Sequence, residues 1–519
     1  MKLRVWILII LGLITVACAT RNAPPLPTIA PTEIIATRAN TPPPTQSATT
    51  PTAPPAPTRV FTSAATINAQ IENSTRALSP IFFGYNNGAE AIRDGFWRDP
   101  AYQRAVAGLK PGTLRYPAGT VANYWDWEKA WFFPNDRFGV YKLAPTPNRL
   151  EDFQQTLDAA GATPVFDLNL LTSNLDSQLA MLRHAQKLGL AIRYVELGNE
   201  FYLNWDDNAR AFPTGADYAR VCNRWIDAIK TEFPGALVAV VGAPPRSASS
   251  KDARLAQWNA QLFANIRNAS ALTIHIYDNA GIGKTDTFKS SDVPTMLGAP
   301  FSVWTQLQNE LGKIPAGMQV WITEFNLMDH NAPTHGTWAH GLFVATESML
   351  FLDNPIIALI EPHAISGNAI FGAVFSNDRA FNFGGDFISP NKQIKTTPLA
   401  PSAMGTTLAL FAQATRDQTA TQKIVFAPNP TVRGKTNNAY PTLLGRVFTS
   451  TGERSGIIIN LSGDAYALNL GSLGFRSFDQ VYADPITLIA TPRDVTRVTG
   501  TISSALTLPP YSVTRLSGQ

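Results

Sequence analysis

Cysteine is nearly absent: the 519 residues contain two, Cys18 and Cys222. Cys18 closes an N-terminal apolar run, so an exported, processed chain has no second cysteine for an internal disulfide. Stability must then come from a buried core, which a chain of this length can supply. Charge is also sparse, at 15% Asp, Glu, Lys and Arg with a net of +4 and no basic run. A nucleic-acid partner is therefore not expected. The sequence lacks His-Glu-x-x-His, a phosphate-cradling glycine loop and any cysteine cluster, so neither a metal nor a cofactor is expected.

What the sequence does contain begins with a leader. Lys2 and Arg4 precede the apolar stretch Val5 to Ala17, thirteen residues long. Such a stretch rises about 20 Å as a helix, too short for a hydrocarbon core of roughly 30 Å, so residues 1–18 read as a signal peptide. Its end, Thr15-Val16-Ala17-Cys18, resembles a bacterial lipobox. That implies lipidation at Cys18, a membrane partner through the lipid, and an extracytoplasmic, cell-surface or periplasmic location. Residues 19–60 hold eleven of the 39 prolines among Thr, Ala and Ser. This composition cannot bury apolar surface and predicts an extended linker.

Residues 61–415 alternate short apolar runs with amphipathic segments. Strands are predicted at 81–85, 113–116, 164–170, 192–197, 237–241, 272–277, 319–323 and 357–361. Helices are predicted at 150–160, 177–188, 214–233, near 254–265 and near 403–413. Thr214 and Asp217 stand in capping positions, and Cys222 falls on the apolar face of its helix as a small hydrophobe. The alternation indicates a parallel sheet with right-handed crossovers, and the length suits a (β/α)8 TIM barrel. Residues 416–519 lose helical periodicity and read as an antiparallel β-sandwich, to which 61–77 could add a strand. The fold class is thus α/β, a TIM barrel with a C-terminal β-sandwich.

Two predicted strands end in glutamates: Tyr194-Val195-Glu196-Leu197 runs into Gly198-Asn199-Glu200, and Val320-Trp321-Ile322-Thr323 into Glu324-Phe325-Asn326. Strand ends of a barrel converge on one mouth. Glu324 follows Glu200 by 124 residues, three units at about 40 residues each, which places them on strands four and seven. Facing carboxyls are what glycoside hydrolysis needs: a protonated acid for the leaving oxygen and an ionised nucleophile for the anomeric carbon. Glu196 lies lower on its strand and is expected to pair with Arg115. Trp125 and Trp127 follow in a mouth loop, where indoles serve equally as sugar platforms or as loop packing. Glu361 and His363 end strand eight, with structural hydrogen bonding as the default.

These motifs, with Phe83-Gly84-Tyr85-Asn86, Leu114-Arg115-Tyr116-Pro117-Ala118-Gly119-Thr120, Asp167-Leu168-Asn169 and His275-Ile276-Tyr277, resemble the clan of retaining glycosidases with an acid/base on strand four and a nucleophile on strand seven. Within the clan, the heparanase and β-glucuronidase family and the α-L-arabinofuranosidase family are the most similar. The resemblance implies a retaining glycoside hydrolase acting on a carbohydrate, with Glu200 as acid/base and Glu324 as nucleophile. It implies that Asn199 binds the sugar 2-hydroxyl and that His275 and Tyr277 orient nucleophile or sugar. It also implies that Arg115 pairs with carboxylates beneath it; Asn169, after strand three, and Trp125, in the mouth loop, complete the candidate substrate-binding residues. Ala118 replaces a usual glycine, and the tryptophan common after the arabinofuranosidase nucleophile is missing, so the sugar stays open. An inactive carbohydrate-binding lipoprotein and a transglycosylase are the alternative readings.

Overall fold

The structure is a computed structural model that describes residues 61–87, 96–117, 119–133, 147–245, 247–367, 371–375, 381–382, 393–394, 396–435, 439–471, 473–503 and 505–518. Cys18, the signal peptide and the linker lie outside the described residues.

Eight parallel strands form the first sheet: β1 (Gly84–Asn86), β2 (Thr113–Tyr116), β3 (Thr163–Asp167), β4 (Tyr194–Glu196), β5 (Leu237–Val241), β6 (Ala271–Asp278), β7 (Gln319–Leu327) and β8 (Ile357–Pro362). Each pairs with the next in chain order. Bridges from Phe83 to Ile360 and from Asn86 to His363 bring β8 back to β1, so the barrel is nearly closed. Runs such as Leu237-Val238-Ala239-Val240-Val241 are apolar throughout because both strand faces are covered, one by the barrel interior and one by helices.

Each strand is followed by a helix: α1 (Pro100–Leu109), α2 (Leu150–Ala160), α3 (Leu175–Lys187), α4 (Gly215–Glu232), α5 (Ala253–Asn265), α6 (Val293–Leu311), α7 (Trp338–Phe351) and α8 (Ala403–Thr415). The Thr214 side chain accepts from the Asp217 N–H and starts α4. Tyr218, Cys222, Trp225, Ile226 and Ile229 then bury one stripe of that helix, each side chain contributing roughly 1.5–3 kcal/mol relative to exposure. Val165, Tyr194, Ala239, Ala271, Trp321 and Leu359 fill the end of the barrel at the strand N-termini. The strand C-termini, where barrels of this kind build their sites, lie at the opposite end.

A second, mostly antiparallel sheet follows α8, with a core around Ile424, Val447, Ile458, Leu468 and Leu516. The segment Ala65–Ile71 belongs to this sheet, antiparallel to Ala420–Ala427 and parallel to Tyr466–Asn469. The Trp338 indole donates to the Tyr511 carbonyl at 2.6 Å, and Arg446 pairs with Asp353. Both contacts tie the sheet to the barrel.

Candidate active site

β6 and β7 are neighbours in register, His275 opposite Glu324 and Tyr277 opposite Asn326. Their side chains consequently reach the mouth side by side. β2 contributes Arg115 from below, fully buried. Its Nε donates to Glu196 Oε2 at 2.7 Å, Nη1 to Glu324 Oε1 at 2.8 Å and Nη2 to Asn199 Oδ1 at 2.9 Å. Asp167 Oδ2 stands 2.9 Å from Nη2 as an ion-pair contact without hydrogen-bond alignment. One guanidinium thus braces the ends of strands three, four and seven.

Glu200 sits beyond the end of β4 on a sharply turned backbone. Gly198 has φ +83°, and a Cβ there would lie 2.2 Å from the Phe201 ring. Glu200 itself has φ +48°, a left-handed conformation that costs a non-glycine residue about 1–3 kcal/mol. The reversal swings its carboxyl over the mouth. Glu200 Oε1 accepts from the Tyr202 hydroxyl at 2.8 Å and lies 3.0 Å from His275 Nδ1. Both partners use the same oxygen, which leaves Oε2 for a reacting group.

His275 stands between the two carboxyls, 3.7 Å from Glu324 Oε2. The Thr323 hydroxyl donates to Glu196 Oε1 at 3.1 Å and turns its lone pair to His275 Nε2 at 3.2 Å. A proton is thereby assigned to Nε2. Burial alone would lower the His275 pKa, but Glu324 and Glu200 outweigh it and hold it above the ordinary value.

Burial would likewise raise Glu324. The opposing charges of His275, His363 and Arg115, with the Tyr277 hydroxyl donating to Oε2 at 2.6 Å, hold this carboxyl down at about 2. It is ionised throughout the neutral range and 6% exposed, enough to meet a ligand. The surrounding acids behave oppositely. Asp167 is raised well above its ordinary value, chiefly by burial, and Glu361, accepting from Thr113, is pushed up to about 8 by burial. Glu324 therefore keeps its charge, whereas burial shifts Asp167 and Glu361, near the same arginine, toward the protonated form.

Other sequence candidates are placed differently. Asn199 is fully buried, its amide donating to Thr120 at 3.2 Å and its oxygen accepting from Arg115. Asn169 holds the loop after β3: its amide donates to Trp125 O and Thr172 Oγ1, and its oxygen accepts from the N–H groups of Leu171 and Thr172. Trp125 is buried, with its indole N–H donated to the Tyr116 hydroxyl. Both are packing and loop-holding residues here, since every polar group engaged points into the protein. His363 is half-buried beside Glu324, its Nδ1 2.7 Å from Asn86 Nδ2, with its ring packed edge-on to Tyr277 and Phe371.

Sequence reasoning gave no separate role to Tyr202, Thr323 or Gly119. The first two carry no motif beyond adjacency to the glutamates. Gly119 was legible only as part of the strand-two motif. Glu200, His275 and Glu324 place one ligand-type atom each within 4.8 Å of one another. That set could hold a divalent cation, but it also brings two carboxylate oxygens within glycosidase spacing, and Arg115 already supplies positive charge to Glu324.

No protein-family model and no curated protein sequence matches the chain. Solved structures do. The GH51 arabinofuranosidase from Xanthomonas axonopodis pv. citri is similar over 88% of this chain and 100% of its own, with a TM-score of 0.63 at 14% identity. The α-L-arabinofuranosidase from Thermotoga maritima gives 0.58 at 16%, covering 87% and 99%. A GH44 xyloglucanase from Paenibacillus polymyxa gives 0.53 at 11%, covering 88% and 99%. The fold is the one these glycosidases share. At such identities the likeness extends to architecture, a TIM barrel with a C-terminal sandwich, and goes no further.

Proposed function

We propose that the protein is a retaining glycoside hydrolase that cleaves an oligo- or polysaccharide by double displacement. The observation that carries this reading is the carboxyl pair. Oxygens of Glu200 and Glu324 come within 4.8 Å of each other, short of the roughly 6.5–9.5 Å that admits water between the groups in inverting enzymes. The surroundings of Glu324 meet the requirement on a nucleophile. Glu324 is held ionised by Arg115 and Tyr277, and attacks the anomeric carbon. Glu200 gives its proton to the leaving oxygen from Oε2, then takes one from the water that opens the glycosyl ester on Glu324. His275 shields the two carboxyls from each other between steps. An inactive binding barrel would have no need of this graded ionisation.

The test is a panel of aryl α-L-arabinofuranosides, β-D-glucuronides, β-xylosides and β-glucosides assayed with the full chain. Turnover of at least one, abolished in Glu324→Ala, supports the reading, and no turnover of any would count against it. We further propose that Cys18 carries a lipid and holds the enzyme at an extracytoplasmic membrane face, on the strength of the apolar run that ends at it. Palmitate labelling of Cys18→Ser decides this, since unchanged labelling removes the anchor and leaves the enzyme reading intact.

A further inference from the structure

We propose that Arg254 is the positioning residue of the acid/base: it fixes the backbone on which Glu200 and Tyr202 are mounted. The inference rests on the reading of Glu200 as acid/base and names the group that holds it in place.

Arg254 is rooted in the first turn of α5. Asp252 caps that helix, its carboxylate accepting from the N–H groups of Arg254 and Leu255. One turn on, the fully buried Trp258 donates to Val241 O of β5 at 3.0 Å and so cannot move. The guanidinium lies 4.9 Å from the centroid of that indole, a cation–π seat that holds its plane. From there it reaches across to the loop after β4. Nη1 donates to Tyr202 O at 2.7 Å and Leu203 O at 3.0 Å, and Nη2 to Phe212 O at 2.7 Å and to Phe201 O.

The carbonyls so gathered belong to the three residues that follow Glu200, and Phe212 closes the far end of the same loop. Hydrogen bonds from a charged donor are the strong ones, and four of them gather the loop that carries the left-handed turn at Glu200. The cation is committed to neutral carbonyls although burial disfavours its charge. That is the pattern of a geometric clamp, not of an ion pair. Fixing Tyr202 O also fixes where the Tyr202 hydroxyl meets Glu200 Oε1. When this bond is kept, Oε2 is the oxygen that faces the leaving group. A lysine has no planar fork to span these carbonyls.

The experiment uses the full chain with Arg254→Lys, Glu200→Ala and the double variant, each assayed on aryl glycosides from dinitrophenyl to unactivated leaving groups. For Arg254→Lys, kcat/KM on the poorest leaving groups should fall about 10–100-fold, a partial loss of general acid catalysis, with dinitrophenyl substrates within about threefold. The double variant should match Glu200→Ala alone. An equal loss on all substrates, or an additive loss in the double variant, would mean that Arg254 merely supports folding and would overturn the proposal. Amide exchange at Leu203 and Trp205, which donate to Glu200 O and Leu203 O, reads the clamp without activity. It should accelerate in Arg254→Lys, and unchanged exchange overturns the clamp. A failure of the acid/base reading is seen separately, as a Glu200→Ala variant with no leaving-group dependence.

Discussion

Gly119 and Glu324 are fitted to each other: a Cβ at position 119 would lie 2.5 Å from Glu324 Oε1. That oxygen is the one Arg115 Nη1 reaches at 2.8 Å. The turn after β2 therefore sets the rotamer of a side chain on β7, and a methyl group at 119 must move the carboxylate off its arginine. Gly119→Ala is expected to lower kcat roughly 10–100-fold, the loss of one charge-assisted hydrogen bond, with a smaller effect on KM. Burst-phase trapping with a fluorosugar that accumulates the glycosyl-enzyme should slow in proportion. An unchanged trapping rate would show that Glu324 is not the group so positioned.

The Tyr277 hydroxyl is the second support of the same carboxylate. Removing it in Tyr277→Phe takes away a hydrogen bond to the charged form, so the Glu324 pKa rises. In the proposed role Glu324 attacks in its ionised form, so activity is lost as pH falls through its pKa. With Glu324 held at about 2, the acid limb of the native enzyme should lie below about pH 4. In Tyr277→Phe it should move toward neutrality. A pH–rate profile of kcat/KM checks the direction of this shift.

Much of this arrangement was readable before the fold was known. α2 and β5 occupy the predicted spans because Leu150–Ala160 has one apolar stripe and Leu237–Val241 is continuously apolar. α7 gave no such signal. From Trp338 to Phe351 every residue is buried, including His340, Thr346 and Glu347, so no polar face marks the helical period. α6 was hidden by Pro300 inside it. At the site, Glu200, Glu324, Arg115, His275 and Tyr277 lie within or just beyond barrel strands, the positions that the strand motifs in the sequence mark. Tyr202 and Arg254 act from a loop and a helix whose approach only the fold defines. Trp125 was ambiguous for a related reason: an indole in a mouth loop has no sequence mark that tells a stacking face from a packed one.

Glu361 offers a test of the buried charge balance through stability. Its folded pKa is raised to about 8 by burial, so it stays protonated in the native state where the unfolded chain has already ionised it. Between about pH 4.5 and 8 the native state binds more protons, and stability falls as pH rises through that window. Glu361→Gln is neutral at every pH and lacks this slope. Relative to the native chain it should gain stability from about pH 5 to pH 8, by on the order of 3–5 kcal/mol at most. Urea melts at the two pH values measure it, and a constant difference would mean that Glu361 is ionised in the native state.

The opposed roles of Glu200 and Glu324 are tested most directly by azide rescue with analysis of product stereochemistry. Glu200→Ala should retain turnover of activated aryl glycosides, limited by deglycosylation because no base activates water. Azide needs no base, so it should restore the rate and yield a glycosyl azide of retained configuration. Glu324→Ala should be inactive on all substrates, with azide giving only the inverted product. An inverted azide from Glu200→Ala, or a retained one from Glu324→Ala, would contradict the assignment.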